Sequence, residues 1–152
     1  MICFTPQGVI VINCKINYCV FEIATAFEKN SYMKKKILFL DDDPMTLYRY
    51  GTTFTDAGYE VQCIEVMEEV SSCVETFRPD LMILDIRMGS GDGRKICNEL
   101  KSNPETFHIP IIMLTALSYN EISAVECDAD AILGKSPNSE NLLLNISNLL
   151  AK

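Results

Sequence analysis

Asp80-Leu-Met-Ile-Leu-Asp85, running on into Ile86-Arg-Met-Gly-Ser-Gly-Asp-Gly93, decides how this chain folds. Leu81 to Leu84 is a continuous apolar run, the mark of a strand buried on both faces. It delivers a carboxylate, Asp85, at its C-terminal end, where open α/β sheets place their chemistry. Three glycines in the next eight residues make a loop, and Asp92 is suited to cap the helix that follows. Taken alone, the same pattern also describes an ordinary strand ending in a solvated aspartate, so the neighbouring segments have to decide.

Upstream of this strand, Ile37-Leu-Phe-Leu40 is a first buried strand, ending in Asp41-Asp42-Asp43. Pro44 fits the first position of a helix, with Asp43 as its cap. Leu47, Tyr50, Phe54 and Ala57 recur at helical spacing until Gly58 closes the helix. Tyr59 to Ile64 reads as a second strand. A second helix striped by Val66, Val70, Val74 and Phe77 stops at Arg78-Pro79. Downstream of Asp85, a third helix spans Gly93 to Lys101. Ile111-Ile-Met-Leu114 is a fourth strand ending at Thr115, and a weak helix covers roughly 120–127. Ala131 to Leu133 is a fifth strand ending at Gly134-Lys135, and Leu142, Leu143, Ile146, Leu149 and Leu150 stripe a last helix. Five strand–helix repeats of this length predict a parallel sheet with helices on both faces, because right-handed crossovers put them there. The fold class expected is therefore α/β, a doubly wound sheet.

The 152 residues suffice for one domain with a full core. A net charge of −8 disfavours direct contact with nucleic acid, which needs a basic footprint, and fits divalent cations better than anions. Seven cysteines are scattered without a Cys-x-x-Cys pair, and His108 is the only histidine, so a Cys/His zinc site has little to draw on. Cysteines such as Cys63 and Cys97 read as small buried hydrophobes in a reducing compartment. With no apolar run of membrane-spanning length and no evident secretory signal, the expectation is a cytoplasmic protein with no membrane partner. Residues 1–32 differ from the rest. Gly8 to Ile12 suggests a strand and Val20 to Phe27 a short helix, but no turn chemistry organises them, and the sequence restarts at Met33-Lys-Lys-Lys. Two readings compete: an added N-terminal element, or, the one favoured, a poorly ordered or upstream-start segment before a domain spanning 33–152.

Asp41 and Asp42, Asp85, Thr115 and Lys135 each fall at the C-terminal end of a strand, and in a parallel sheet all those ends lie on one edge. Three carboxylates gathered there repel and raise each other's pKa unless a cation joins them. Mg²⁺ is the natural candidate, a hard ion that keeps several waters and takes one or two carboxylates. The lysine adds a second positive charge and the threonine a hydroxyl donor, so together they suit a phosphoryl group carried on a carboxylate nucleophile. Each piece has an ordinary explanation, since Asp-Asp-Asp-Pro is a good helix entry and most lysines are solvated. Four coincident strand ends are harder to dismiss.

In combination, Leu-Asp-Asp-Asp-Pro, Ile-Leu-Asp-Ile-Arg-Met…Asp-Gly, Ile-Met-Leu-Thr-Ala and Leu-Gly-Lys resemble a response-regulator receiver domain, the phosphoacceptor module of two-component signalling. The resemblance runs from about Lys35 to Leu150 and implies a flavodoxin-like (βα)5 sheet with strand order 2-1-3-4-5. It implies Asp85 as phosphoacceptor, Asp42 as a direct Mg²⁺ ligand, and Asp41 as an acidic partner acting largely through water. The backbone carbonyl of Arg87 is implied as a further ligand, Thr115 as the switch hydroxyl and Lys135 as the phosphoryl-contacting lysine. Three departures stand out. Lys135-Ser136 replaces the family's Lys-Pro, whose peptide is cis, a form that costs several kcal/mol more before serine. Ile132 stands where an aromatic switch residue is usual, and Gly89 replaces a common proline.

The function expected is that of a single-domain phosphorelay receiver. It would take its phosphoryl group from a histidine kinase or histidine phosphotransfer protein and signal to a downstream protein target, because no output domain follows Lys152. A non-phosphorylated pseudo-receiver serving as an interaction module is the rival. A haloacid-type aspartyl-phosphate hydrolase would want an acid where Arg87 stands, and a flavodoxin-like cofactor binder would want a phosphate-cradling loop after the first strand.

Overall fold

The computed structural model describes residues 3–4, 10–11, 34–89, 91–118 and 126–151. The chain divides into two units, Met1–Met33 and Lys34–Lys152. Within the first, Cys3–Phe4 pairs antiparallel with Ile10–Val11, the latter inside the strand expected over 8–12. The helix expected over 20–27 lies outside the described residues.

In the second unit, β1 (Lys36–Leu40) leads into α1 (Pro44–Asp56), and β2 (Glu60–Ile64) leads through a 3-10 turn at Met67–Glu69 into α2 (Val70–Phe77). Then come β3 (Leu81–Asp85), α3 (Gly93–Ser102), β4 (Ile111–Thr115), β5 (Ala131–Gly134) and α4 (Glu140–Leu150). The five strands form one parallel sheet in the order β2-β1-β3-β4-β5, the flavodoxin-like order expected.

Local chemistry explains the element ends. The Asp43 carboxylate accepts from the amides of Met45 and Thr46, each at 3.2 Å, and so meets two of the donors that the first turn of α1 leaves open. Gly58, at φ +97°, turns the chain out of α1. The second helix begins later than its stripe suggested, because Val66 is extended and Met67–Glu69 takes the tighter 3-10 form first. It ends at Arg78, which is left-handed at φ 53°, with Pro79 barring continuation. Residues 126 and 127, the end of the weak helix expected over 120–127, carry no regular structure, and 120–125 lie outside the described residues.

Alternation along the strands sorts the core into two halves. Leu38, Leu40, Met82, Leu84, Ile111 and Met113 pack with Val70, Cys73, Cys97 and Leu100 under α2 and α3. Ile37, Phe39, Leu81, Ile83, Ile112 and Leu114 pack with Leu47, Tyr50, Phe54, Leu142 and Ile146 under α1 and α4. Every residue of β3 is buried. Each aliphatic side chain so buried stabilises the fold by roughly 1.5–3 kcal/mol, so the strand that carries Asp85 is firmly anchored. Cys97 is buried as expected, whereas Cys63 is exposed, because it sits on the edge strand β2. Among the described residues, no helix is long and apolar enough to cross a membrane.

Candidate functional site

Parallel register brings the strand ends together. Leu40 pairs with Leu84, Asp85 with Leu114, and Thr115 with Gly134, so the residues just beyond them share one edge. There Asp42, Asp85, Arg87, Gly89, Thr115, Ala116 and Lys135 line an open pocket of about 360 Å³.

The three carboxylates of Asp41, Asp42 and Asp85 each place an oxygen within 4.8 Å of the others. Their surroundings differ. Asp41 is fully buried, its Oδ1 accepting from the Asp43 amide at 3.0 Å. Its Oδ2 stands 2.7 Å from Lys135 Nζ. Among the described residues, no other donor reaches this buried oxygen. Asp42 is exposed and accepts from the Gly89 amide at 2.6 Å. Gly89 holds φ +54°, which a side chain would resist, so glycine at this point lets the loop present its amide. The loop itself is a small hairpin, Arg87–Met88 against Gly91–Asp92, where the sequence suggested only irregular chain.

Asp85 is 4 % exposed. Its Oδ1 accepts from the Ile86 amide at 2.9 Å, and its Oδ2 lies 3.2 Å from Lys135 Nζ. Burial, with the nearby Asp41 charge adding to it, pushes the Asp85 carboxyl above its ordinary value against the opposing pull of Lys135. For Lys135, burial works against the charge, but Asp41 and Asp85 outweigh it and raise the ammonium's pKa. Thr115 is buried and its Oγ1 accepts from the Leu117 amide at 3.0 Å, so its own O–H is left to donate. The backbone amide of Lys135 donates to the Thr115 carbonyl at 2.7 Å. Thus Asp41, Asp42, Asp85, Thr115 and Lys135 converge, with Arg87 at the rim.

The donor set fits a divalent cation. One ammonium faces three carboxylates, and two like charges at this spacing repel by about 3 kcal/mol at the effective dielectric of a protein site. The buried Asp41 oxygen has the Lys135 ammonium as its one partner among the described residues, and it shares that single charge with Asp85.

One feature of the site escaped the sequence. The Tyr50 hydroxyl donates to the Ser136 carbonyl at 2.9 Å and accepts from the Ser136 amide at 3.0 Å, although Tyr50 read only as one of a core stripe. A buried tyrosine needs a partner for its hydroxyl, which signals that a contact exists but not with what. There is no cis peptide among the described residues, so Lys135–Ser136 is trans, in line with the cost that a cis bond before serine carries.

Comparison with known proteins agrees with this geometry. Residues 37–147 match the family described as "Response regulator receiver domain". RpaA of Synechocystis, a DNA-binding dual master transcriptional regulator, is 32 % identical over 120 residues, which are 77 % of this chain and 49 % of that protein. PhoP of Bacillus subtilis, the alkaline phosphatase synthesis transcriptional regulatory protein, is 35 % identical over 115 residues, 72 % of this chain and 46 % of that protein. The chain thus spans about half the length of these curated relatives. Among solved structures, the response regulator TrrA of Thermotoga maritima, determined with Mg²⁺ and BeF, superposes with a TM-score of 0.69 at 30 % identity. That match covers 76 % of this chain and 98 % of TrrA. The signal receiver domain of a histidine kinase from Syntrophus aciditrophicus superposes with a TM-score of 0.70 at 29 % identity, covering 77 % and 90 %. The chain belongs to the response regulator receiver family, the receiver class of two-component signalling.

Proposed function

We propose that this receiver accepts a phosphoryl group on Asp85 from a phosphohistidine of a histidine kinase or phosphotransfer protein. The observation that carries the reading is one pocket in which a buried carboxylate, a lysine ammonium and a donor hydroxyl meet at the ends of three different strands. An Asp85 oxygen forms the new P–O bond as the N–P bond of the donor breaks, and the released imidazole nitrogen recovers a proton from solvent. Lys135, 3.2 Å from Asp85, offers positive charge to the incoming oxygens, and the Thr115 hydroxyl offers a hydrogen bond. Asp41, Asp42, Asp85 and the Arg87 carbonyl would hold Mg²⁺, which when bound supplies further positive charge to the phosphoryl oxygens.

The excess of acidic residues supports proteins rather than nucleic acid as the partners of this domain, a phosphodonor first and a downstream target after it. The interaction-only alternative is disfavoured, since Asp42, Asp85, Thr115 and Lys135 all line the pocket and the buried Asp41 pairs with Lys135.

The test is incubation of the full chain with acetyl phosphate and Mg²⁺, followed by intact mass. The wild type is expected to gain one phosphoryl group and Asp85→Asn none. An equal gain by both would place the phosphoryl group on another residue.

A further inference from the structure

We propose that Tyr50 is a positioning residue for phosphoryl acceptance: its hydroxyl fixes the backbone that follows Lys135, and through it the stand of the lysine ammonium against Asp85 and Asp41. The inference rests on the reading of Asp85 as phosphoacceptor.

The grip is built from a rigid side. Tyr50 is 1 % exposed. Its ring stacks on Phe54 with centroids 6.0 Å apart and meets Phe39 edge-on at 6.1 Å. A ring wedged in this way has no freedom to swing its hydroxyl. That hydroxyl serves both polar groups of one residue, accepting from the Ser136 amide and donating to the Ser136 carbonyl. Arg49 lies over the same ring at 4.4 Å and sends Nη2 to the same carbonyl at 3.4 Å.

The other side of Lys135 is held as well, by its own amide on the Thr115 carbonyl. The lysine backbone is thus tied upstream to β4 and downstream to α1. Without the second tie, Ser136 and Pro137 are exposed loop, and the lysine would reach its two carboxylates from a base free to move. Catalytic contributions from charge depend steeply on position, so a small drift of the ammonium is costly. Tyr50 reaches Ser136 and none of the groups that react.

Tyr50→Phe keeps the ring and removes the hydroxyl. Two measurements on the full chain decide the matter. In the wild type the Ser136 amide is expected to be protected from hydrogen exchange, and in Tyr50→Phe its exchange should quicken by about tenfold or more, the weight of one lost hydrogen bond. With acetyl phosphate and Mg²⁺, Tyr50→Phe should slow phosphorylation by roughly tenfold in the wild-type background. In a Lys135→Ala background the same change should alter the rate less than about twofold, because the residue it positions is gone.

An unprotected Ser136 amide in the wild type overturns the grip, even if the phenylalanine variant melts too low to assay. Equal losses in both backgrounds, or no loss in the wild type, would mean that Tyr50 only completes the core. A wild type that gains no phosphoryl mass sinks the reading of Asp85 and this inference with it, whereas gain with additive losses sinks Tyr50's role alone.

Discussion

Asp85 and its two acidic neighbours form one cluster but carry different burdens. Burial holds the Asp85 carboxyl above its ordinary pKa. A folded-state value above the unfolded one means that ionised Asp85 costs stability at neutral pH, a cost that fades as the pH falls through the folded value. Without divalent metal, Asp85→Asn is therefore expected to melt about 2–5 °C higher at pH 7, with the gap closing toward pH ~4. Calorimetry in chelator checks it, and a lower melting point for the variant would show that Lys135 compensates fully. Asp41 and Asp42 separate by a second experiment. Asp41 is already engaged by the Asp43 amide and Lys135, while Asp42 is exposed at the pocket and, among the described residues, held by the Gly89 amide alone. In Mg²⁺ titration calorimetry, Asp42→Ala should abolish measurable binding, and Asp41→Ala should weaken it about 10–100-fold, as loss of an outer-shell group does. Equal losses would assign both as direct ligands. Asp41, Asp42, Asp85, Thr115 and Lys135 were legible in the sequence because each falls at or just beyond the end of a strand. The ion pair of Asp41 with Lys135 was not, since it depends on how far the lysine folds back.

At the scale of elements, the packing of α3 on β3 leaves no tolerance. A Cβ on Gly93 would fall 2.0 Å from the Asp85 carbonyl oxygen, a backbone atom that cannot turn aside. Gly93→Ala should thus cost about 1–3 kcal/mol in urea unfolding, the range for overpacking, and slow phosphorylation by shifting the end of β3. An unchanged urea midpoint would show that the helix start can slide. Strands β1, β3 and β4 announce themselves by continuous apolar runs, since burial on both faces removes any need for polar alternation. The hairpin at Arg87–Asp92 did not, because two-residue ladders carry no period. The Tyr50–Ser136 bond spans 86 residues, and no local pattern encodes a partner at that separation.

For the whole molecule, the question is where a phosphoryl signal goes. Ile132 on β5 is 39 % exposed, and it lacks the bulk and polar tip of the aromatic residue usual in this family. With that reporter absent, the change on phosphorylation is expected in the loops, at residues 86–89, 115–118 and 134–138, rather than along α4. A ligand or modification shifts populations only by its differential interaction with the two states, and under the proposed function that interaction falls on Thr115 and Lys135. Hydrogen exchange with and without a phosphoryl mimic should show at least about threefold slowing in those loops and little change in α4. Strong protection along α4 instead would make Ile132 a switch despite its size. The first 32 residues, which balance Lys15 and Lys29 against Glu22 and Glu28, are expected to be dispensable. A chain beginning at Met33 should melt within about 2 °C of the full chain, and a loss beyond that, equivalent to roughly half a kcal/mol, would assign them a place in the fold.

The tyrosine that grips Ser136 also gives the protein an optical label of its own. The chain contains no tryptophan, so tyrosines dominate its near-ultraviolet dichroism. Of the described tyrosines, Tyr50 is the one locked in a fixed, asymmetric aromatic setting. Its contribution reports the packing of that ring against Phe39 and Phe54, so loosening of the fixed side of the grip would show as a loss of near-ultraviolet signal.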